Sequence, residues 1–383
     1  MRYLGATHIF NGSEFLPESS VLVLDSGNSI KDIIKSDEVE KNEVEFYDGI
    51  LTPGFINTHC HLELSFLKNV IPEKNGFVEF AKNLISKRNS FTEEVMLSAI
   101  EKADEEMALN GIVAVGDISN TKISYKQKLK SKIYYHTFIE LLGFNPSMAE
   151  TIFNSGLNEL EILKSYGLHG SLTAHAPYST SAELIEKITN FNFKNNSSFS
   201  IHNQESEEEN KFFTGDKSTF YDLYKFLNAD ISWFKPNYKS SLAFYGNLLK
   251  GNNNILVHNT RLTASDYKFL KEGIYICFCP NANLYIENTL PDFSSIIAQN
   301  QSICFGTDSL ASNHSLNLLN EANYFLKETK NLNLTLKGLT SNAAKALGIE
   351  NKFGFLAQGK FCHINLIQQK NNQLQLEKII VHA

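Results

Sequence analysis

Gly49-Ile50-Leu51-Thr52-Pro53-Gly54-Phe55-Ile56-Asn57-Thr58-His59-Cys60-His61 is the stretch whose reading decides the fold. An apolar run is broken by Pro53-Gly54, resumes at Phe55-Ile56 and ends on two histidines one residue apart. This is how a buried strand delivers polar groups to the end of a barrel. Alternate strand residues face one side, so His59 and His61 can reach a single metal ion while Cys60 points away. The pair alone is a weak signal. Similar strand-end residues recur downstream at His175, at His202 with Glu205, at His258 and at Asp308.

Outward from this stretch, short apolar strands alternate with amphipathic helical segments. Phe91 to Leu109 carries apolar residues at helical spacing, with Thr92 at its start and Gly111 as its stop. Strands are predicted at Ile112–Asp117, Ile133–Ile139, Leu168–His175, Ser198–His202, Ile255–His258, Ile274–Cys279 and Ile303–Asp308. With the strand bearing His59 these make eight, several ending in His or Asp. The pattern predicts an α/β protein, a (β/α)8 TIM-like barrel with its chemistry at the carboxyl ends of the strands. A doubly wound sheet is the alternative, but its crevice would not gather residues from so many strand ends. Tyr3–Phe10, Ser20–Leu24, Phe361–Ile367 and Leu374–Val381 read as further strands, too few at either end for a separate core. Residues 1–50 and 349–383 are therefore expected to flank a barrel over 51–348, completing one small β domain between them.

The 383 residues carry a formal charge of −7, with both signs mixed along the chain, so a nucleic-acid polymer is a poor partner. Five cysteines, an odd number scattered mostly through apolar runs, point to reduced thiols rather than a disulfide framework. No signal-peptide run and no membrane-length apolar stretch is evident. A cytoplasmic protein that acts on small molecules and does not enter membranes is expected, and homo-oligomerisation is compatible with the chain. Lys194-Asn195-Asn196 and Asn252-Asn253-Asn254 read as polar loops. The interval from Gln204 to Asn254 exceeds an ordinary crossover; its Ile231–Tyr238 segment, with Trp233, Phe234 and Pro236, reads as a substrate cover or as aromatics pinning a surface loop.

His59, His61, His202 and Asp308 could hold one divalent metal, zinc or iron, with a position left open for water. Asp308 could also accept that water's proton, while His258 orients it. Glu205, three residues after His202, returns toward the site and could carry a proton to a heterocycle nitrogen. Asp117 is a candidate for hydrogen bonding in the site wall, and His136 for packing. His314 suits a helix start better than a pocket wall. Cys277 and Cys279 lack a second close pair and suit packing better than a zinc knuckle.

The segment Pro53–Glu63 resembles the opening metal motif of the amidohydrolase superfamily. The likeness continues through Thr173–Ser179, His202–Glu205, His258, Gly306–Ser309, Leu339–Gly348 and Gly354–Lys360, nearly the whole chain. It implies a composite β-sandwich built from both termini beside the barrel. Within the superfamily the chain is similar to the branch of chlorohydrolases and of deaminases of adenosine derivatives, guanine and aminodeoxyfutalosine. That resemblance implies metal binding by His59, His61, His202 and Asp308, proton transfer and hydroxide positioning by Glu205 and His258, and substrate contact by His175. Trp233, Asn283 and Glu63 are added as further candidates for substrate contact. No lysine stands near the fourth-strand signal at His175, which favours a mononuclear site. Asn281-Ala282 and Phe361-Cys362-His363-Ile364 depart from the common patterns. The implied reaction is hydrolytic deamination of an amino-substituted purine-like heterocycle, with aminodeoxyfutalosine or another adenosine derivative first. A chloro-heterocycle hydrolase, a guanine or pterin deaminase and a non-catalytic metal-binding interaction protein are the alternatives.

Overall fold

The computed structural model describes residues 1–251, 253–360 and 362–381; Asn252 of one polar loop and Phe361 of an expected strand lie outside them. The chain opens with β1 (Arg2–Ile9), β2 (Ser20–Leu24), β3 (Ile30–Lys35) and β4 (Val44–Pro53). Eight strands follow: β5 (Phe55–Cys60), β6 (Ile112–Ser119), β7 (Tyr134–Leu141), β8 (His169–Ala174), β9 (Phe199–Asn203), β10 (Asn254–His258), β11 (Ile274–Phe278) and β12 (Ser302–Phe305). The chain closes with β13 (Ile364–Lys370) and β14 (Gln373–Val381).

Strands from both termini build one six-stranded mixed sheet in the order β14-β13-β4-β1-β2-β3. Leu4, Leu22, Leu24, Ile30, Leu51, Ile364, Leu366 and Val381 form its core. The strand pattern of the sequence did not reveal β3 and β4. Half of each is polar or exposed, and β4 takes its place only by pairing with β1 on one side and β13 on the other.

The β5–β12 series forms the parallel barrel, as the strand-end pattern predicts. Two ladders, β5-β6-β7-β8 and β9-β10-β11-β12, account for its regular pairing. Their strands are almost wholly buried, as parallel strands covered by helices must be. Individual bonds stitch the two seams. At β8–β9, Ser171 Oγ donates to the Ser198 carbonyl at 2.7 Å and the Ser200 N–H donates to Thr173 Oγ1 at 2.8 Å. At β12–β5, the N–H groups of Thr307 and Asp308 both donate to the His59 carbonyl, at 3.0 and 3.1 Å. Asn57 adds a side-chain bond to Thr307 Oγ1 at 2.7 Å. The second seam therefore fixes two of the expected metal ligands relative to one another.

Local rules explain the flanking pieces. Thr92 caps the helix Glu93–Leu109 by accepting the Val95 N–H, and Gly111 follows with φ +74°. At Gly54 a Cβ would lie 2.4 Å from Val113 Cγ1, so the chain passes from sheet to barrel only with glycine there. The long interval after β9 folds as helices Glu207–Thr214, Phe220–Phe226 and Ser241–Tyr245. Its aromatics pack with Phe144 and with Phe77 of the helix Phe77–Lys87 above the barrel mouth. No helix among the described residues is long and apolar enough to cross a membrane.

Candidate active site

His59 lies on β5 and His61 just beyond it; His202 lies on β9, and Asp308 follows β12. All four are buried, and one donor atom from each lies within 4.8 Å of the others. His61 Nε2 is 3.2 Å from His59 Nε2, 3.3 Å from His202 Nε2 and 3.4 Å from Asp308 Oδ1. His59 Nε2 is 3.6 Å from the same oxygen. Metal–nitrogen bonds of about 2.0–2.1 Å set the edge of a coordination tetrahedron at about 3.3–3.4 Å, in line with these separations. Facing imidazole lone pairs at such distances repel unless a cation lies between them. The donor set fits one divalent metal.

The surrounding bonds orient each ligand. His202 Nδ1 is 2.7 Å from the His175 carbonyl, which fixes its proton there and turns Nε2 inward. Ser312 Oγ donates to Asp308 Oδ2 at 2.7 Å, leaving Oδ1 for the cluster. Burial, then the His59 charge, pushes His61 down to about 3, and burial with neighbouring imidazoles holds His202 well below its usual value. Against the upward push of burial, the His59 hydrogen bond and the charges of His61 and His258 keep Asp308 well below the carboxylate range. Metal binding needs neutral imidazoles beside an ionised carboxylate, and the shifts of His61, His202 and Asp308 run in that direction.

Glu205 faces this cluster. Its carboxylate Oε1 is 3.7 Å from His258 Nε2, and burial followed by the negative charges of Asp308 and Glu209 raises it well above the usual range. His258 Nδ1 is held by Asn283 Oδ1 at 2.8 Å, so Nε2 points toward Glu205. Glu209 clamps the turn that carries Glu205. Its two oxygens accept the backbone N–H groups of Gln204 and Glu205, at 3.0 and 3.1 Å. Gln204, His258 and Asp308 all have positive φ, 47°, 73° and 55°. Non-glycine residues in that region cost about 1–3 kcal/mol each, and such strain collects at functional sites.

A cavity of about 700 Å³ opens over the cluster. Its floor includes His61, His175, His202, Glu205, His258 and Asp308, and its outer wall is largely apolar. The interval after β9 contributes Leu223, Tyr224, Leu227 and Ala229 to that wall, and the helix Phe77–Lys87 contributes Phe77, Phe80, Ala81, Leu84 and Ile85.

The three added candidates for substrate contact have other partners. Trp233 packs on Phe144, ring centroids 4.8 Å apart, and Phe144 is the one that lines the cavity. Glu63 is buried and takes the Asn120 and Thr121 N–H groups and Thr121 Oγ1 at 2.7–3.2 Å. Asn283 is engaged by His258. Asp117 accepts the Leu62 N–H at 2.7 Å and pairs with Lys128 at 2.6 Å, both side chains fully buried. His136 is buried, 2.9 Å from Ser171 Oγ, and His314 is exposed beside Glu73. The cysteines are free and buried.

Sequence reasoning passed over Glu140, Asn120 and Arg88, which line the cavity, and the Glu209 clamp. Glu140 had a signal. It lies near the end of β7, one residue past the predicted stop at Ile139. Glu140, His175 and His202 also offer donor atoms within 4.8 Å of one another. His202 cannot serve both groups, because its Nδ1 is taken by the His175 carbonyl and its Nε2 faces His61.

The chain is 28% identical over 316 residues to an adenosine deaminase of Helicobacter pylori, covering 80% of this chain and 76% of that protein. It is 27% identical over 376 residues to a 5'-deoxyadenosine deaminase of Methanococcus vannielii, covering 92% and 83%. Its fold superposes on the crystal structure of H. pylori aminofutalosine deaminase in complex with methylthio-coformycin with a TM-score of 0.84 at 23% identity, over 100% of this chain and 99% of the other. Residues 50–381 match the model of the amidohydrolase family, from the strand that leads into His59 to the last strand of the terminal sheet, and the chain belongs to that family.

Proposed function

We propose that this protein is a metal-dependent aminohydrolase that deaminates a purine-like heterocycle, with aminodeoxyfutalosine or another adenosine derivative as substrate. The observation that carries the reading is Glu205, a buried carboxyl 3.7 Å from His258 and opposite the three histidines and Asp308, which burial pushes well above the usual carboxylate range. Replacing an amino group by oxygen on a ring carbon needs a proton given to the adjacent ring nitrogen and one taken from the incoming water. Glu205 is the donor to the ring, and Asp308, ionised at neutral pH, is the acceptor that later passes its proton to the departing ammonia. His258 orients the water through Nε2. A divalent cation, when bound by His59, His61, His202 and Asp308, would supply Lewis-acid activation of water, and this nitrogen-rich donor set suits zinc.

The cavity supports the substrate class. At about 700 Å³ it exceeds the needs of a free base, and its apolar outer wall suits a nucleoside with a further apolar substituent. Five free, buried thiols favour a reducing, cytoplasmic setting.

The test is ammonia release by the zinc-loaded protein from adenosine, 5'-deoxyadenosine, methylthioadenosine, aminodeoxyfutalosine, guanine and a chloro-heterocycle. Adenosine derivatives should react, and chelation should abolish turnover. Glu205→Gln should lose about 10²–10⁴-fold in kcat with its metal retained. Unchanged turnover in that variant would sink the assignment, and chloride release without ammonia release would move the protein to the chlorohydrolases.

A further inference from the structure

Every backbone polar group of Gln204 and Glu205 has a partner. Their N–H groups go to the two oxygens of Glu209. Their carbonyls both face one buried side chain, Thr260. Thr260 Oγ1 is 2.7 Å from the Gln204 carbonyl and 2.6 Å from the Glu205 carbonyl, so its single proton is shared between them. The Gln204 carbonyl has a second donor in the Arg261 N–H at 3.1 Å. The hydroxyl is therefore the bond on which the Glu205 carbonyl depends.

Thr260 comes two residues after His258, the group that orients the water in the proposed chemistry. The ends of β9 and β10 run side by side. The Asn259 N–H donates to the Asn203 carbonyl at 2.9 Å, and Asn203 Nδ2 donates to Asn259 Oδ1 at 3.0 Å. Beyond β9 and at the end of β10 the backbone leaves its ordinary regions, with φ of 47° at Gln204, 73° at His258 and 60° at Asn259. Such a backbone persists only where the surrounding structure over-determines it. Glu205 Oε1 and His258 Nε2 are 3.7 Å apart, and the Thr260 hydroxyl joins the two turns that carry them.

We propose that Thr260 is a positioning residue whose hydroxyl ties the Glu205 turn to the His258 turn and holds the two proton-handling side chains in register. The inference rests on the aminohydrolase reading of the site. The bonds between Asn203 and Asn259 and the Arg261 N–H do not involve the hydroxyl. Its loss therefore leaves the two strands joined and releases Glu205. A displacement of about 1 Å at a reacting group costs about 10²-fold in rate.

The experiment compares zinc-loaded wild-type, Thr260→Val and Thr260→Ser proteins on the adenosine derivative that the wild-type turns over fastest. It reads kcat and KM separately, with zinc content and Tm as controls. Valine keeps the shape and removes the donor, whereas serine keeps the donor. Thr260→Val should lose about 10–100-fold in kcat with KM changed by less than about threefold, and Thr260→Ser should recover most of that loss. Because the hydroxyl acts through Glu205, adding Thr260→Val to Glu205→Gln should cost less than about a further twofold. If Thr260→Val does not fold, Thr260→Ala takes its place; failure of both to fold would show that the hydroxyl serves the fold and overturn the proposal. Wild-type kcat in Thr260→Val, no recovery with serine, or the full loss repeated in the Glu205→Gln background would each overturn the positioning role and leave the aminohydrolase reading intact. No turnover of any adenosine derivative by the wild-type would overturn both.

Discussion

Lys128→Met removes the cation from a fully enclosed ion pair while keeping a side chain of similar length. Lys128 Nζ is 2.6 Å from Asp117 Oδ2, both side chains 0% exposed, and it also reaches Thr137 Oγ1 at 2.9 Å. The other Asp117 oxygen accepts the Leu62 N–H at 2.7 Å, directly after His61. Burial pushes the Asp117 carboxyl up, and Lys128 is the chief group pulling it down. Methionine would leave that carboxylate enclosed without its counter-ion, a loss of about 3–5 kcal/mol. With an unfolding entropy of about 2.1 cal/mol/K for each of 383 residues, or about 0.8 kcal/mol/K in all, the expected fall in Tm is about 4–6 °C. Scanning calorimetry at one scan rate on zinc-loaded protein measures it. Asp117→Asn combined with Lys128→Met removes both charges, retains an acceptor for Leu62 and should recover most of the loss. A fall below about 1 °C in the single variant, or a double variant no more stable than the single, would refute the reasoning.

Gly306→Ala should weaken metal binding without touching a ligand. The new Cβ would lie 2.7 Å from His59 Cβ and 2.9 Å from its carbonyl oxygen, so overpacking of about 1–3 kcal/mol is relieved by moving that histidine. A chelator competition should show at least about tenfold weaker zinc affinity; unchanged affinity with unchanged Tm would refute it. Glu321 is fully buried, accepts from Asn281 and Asn313 at 2.7–2.9 Å, and is pushed by burial up to about 7. The folded state therefore holds this proton more tightly than the unfolded chain. The contribution is fully present below the ordinary value of 4.5 and is lost as pH rises through about 7. At about 1.4 kcal/mol per pH unit the loss reaches about 3 kcal/mol. Glu321→Gln should flatten that part of the stability–pH curve measured by urea unfolding, and parallel curves for the two proteins would contradict the shift.

The sequence by itself determined the barrel, the metal quartet and the approximate strand and helix positions. The elements and the His59–His61 pair rest on relations between near neighbours, while His202 and Asp308 join the pair through the series of strand ends and the family motif. His59 and His61 face one way because a strand alternates, Thr92 opens a helix because its hydroxyl reaches the Val95 N–H, and short apolar runs alternate with amphipathic helical segments. Only the tertiary structure decided what meets across the chain. β4 is a strand because β1 and β13 flank it. The cavity wall includes Phe144, Leu223 and Tyr224, and Trp233 packs on Phe144. Glu63 looked available beside the motif, but the Asn120–Thr121 turn consumes its oxygens. Glu209 and Lys128 carry no periodic signature, and Glu140 has only its place near the end of β7. Their roles depend on which donors reach them and which do not, and a hydrogen bond left unmade inside a folded protein is a property of three-dimensional enclosure that residue order does not encode.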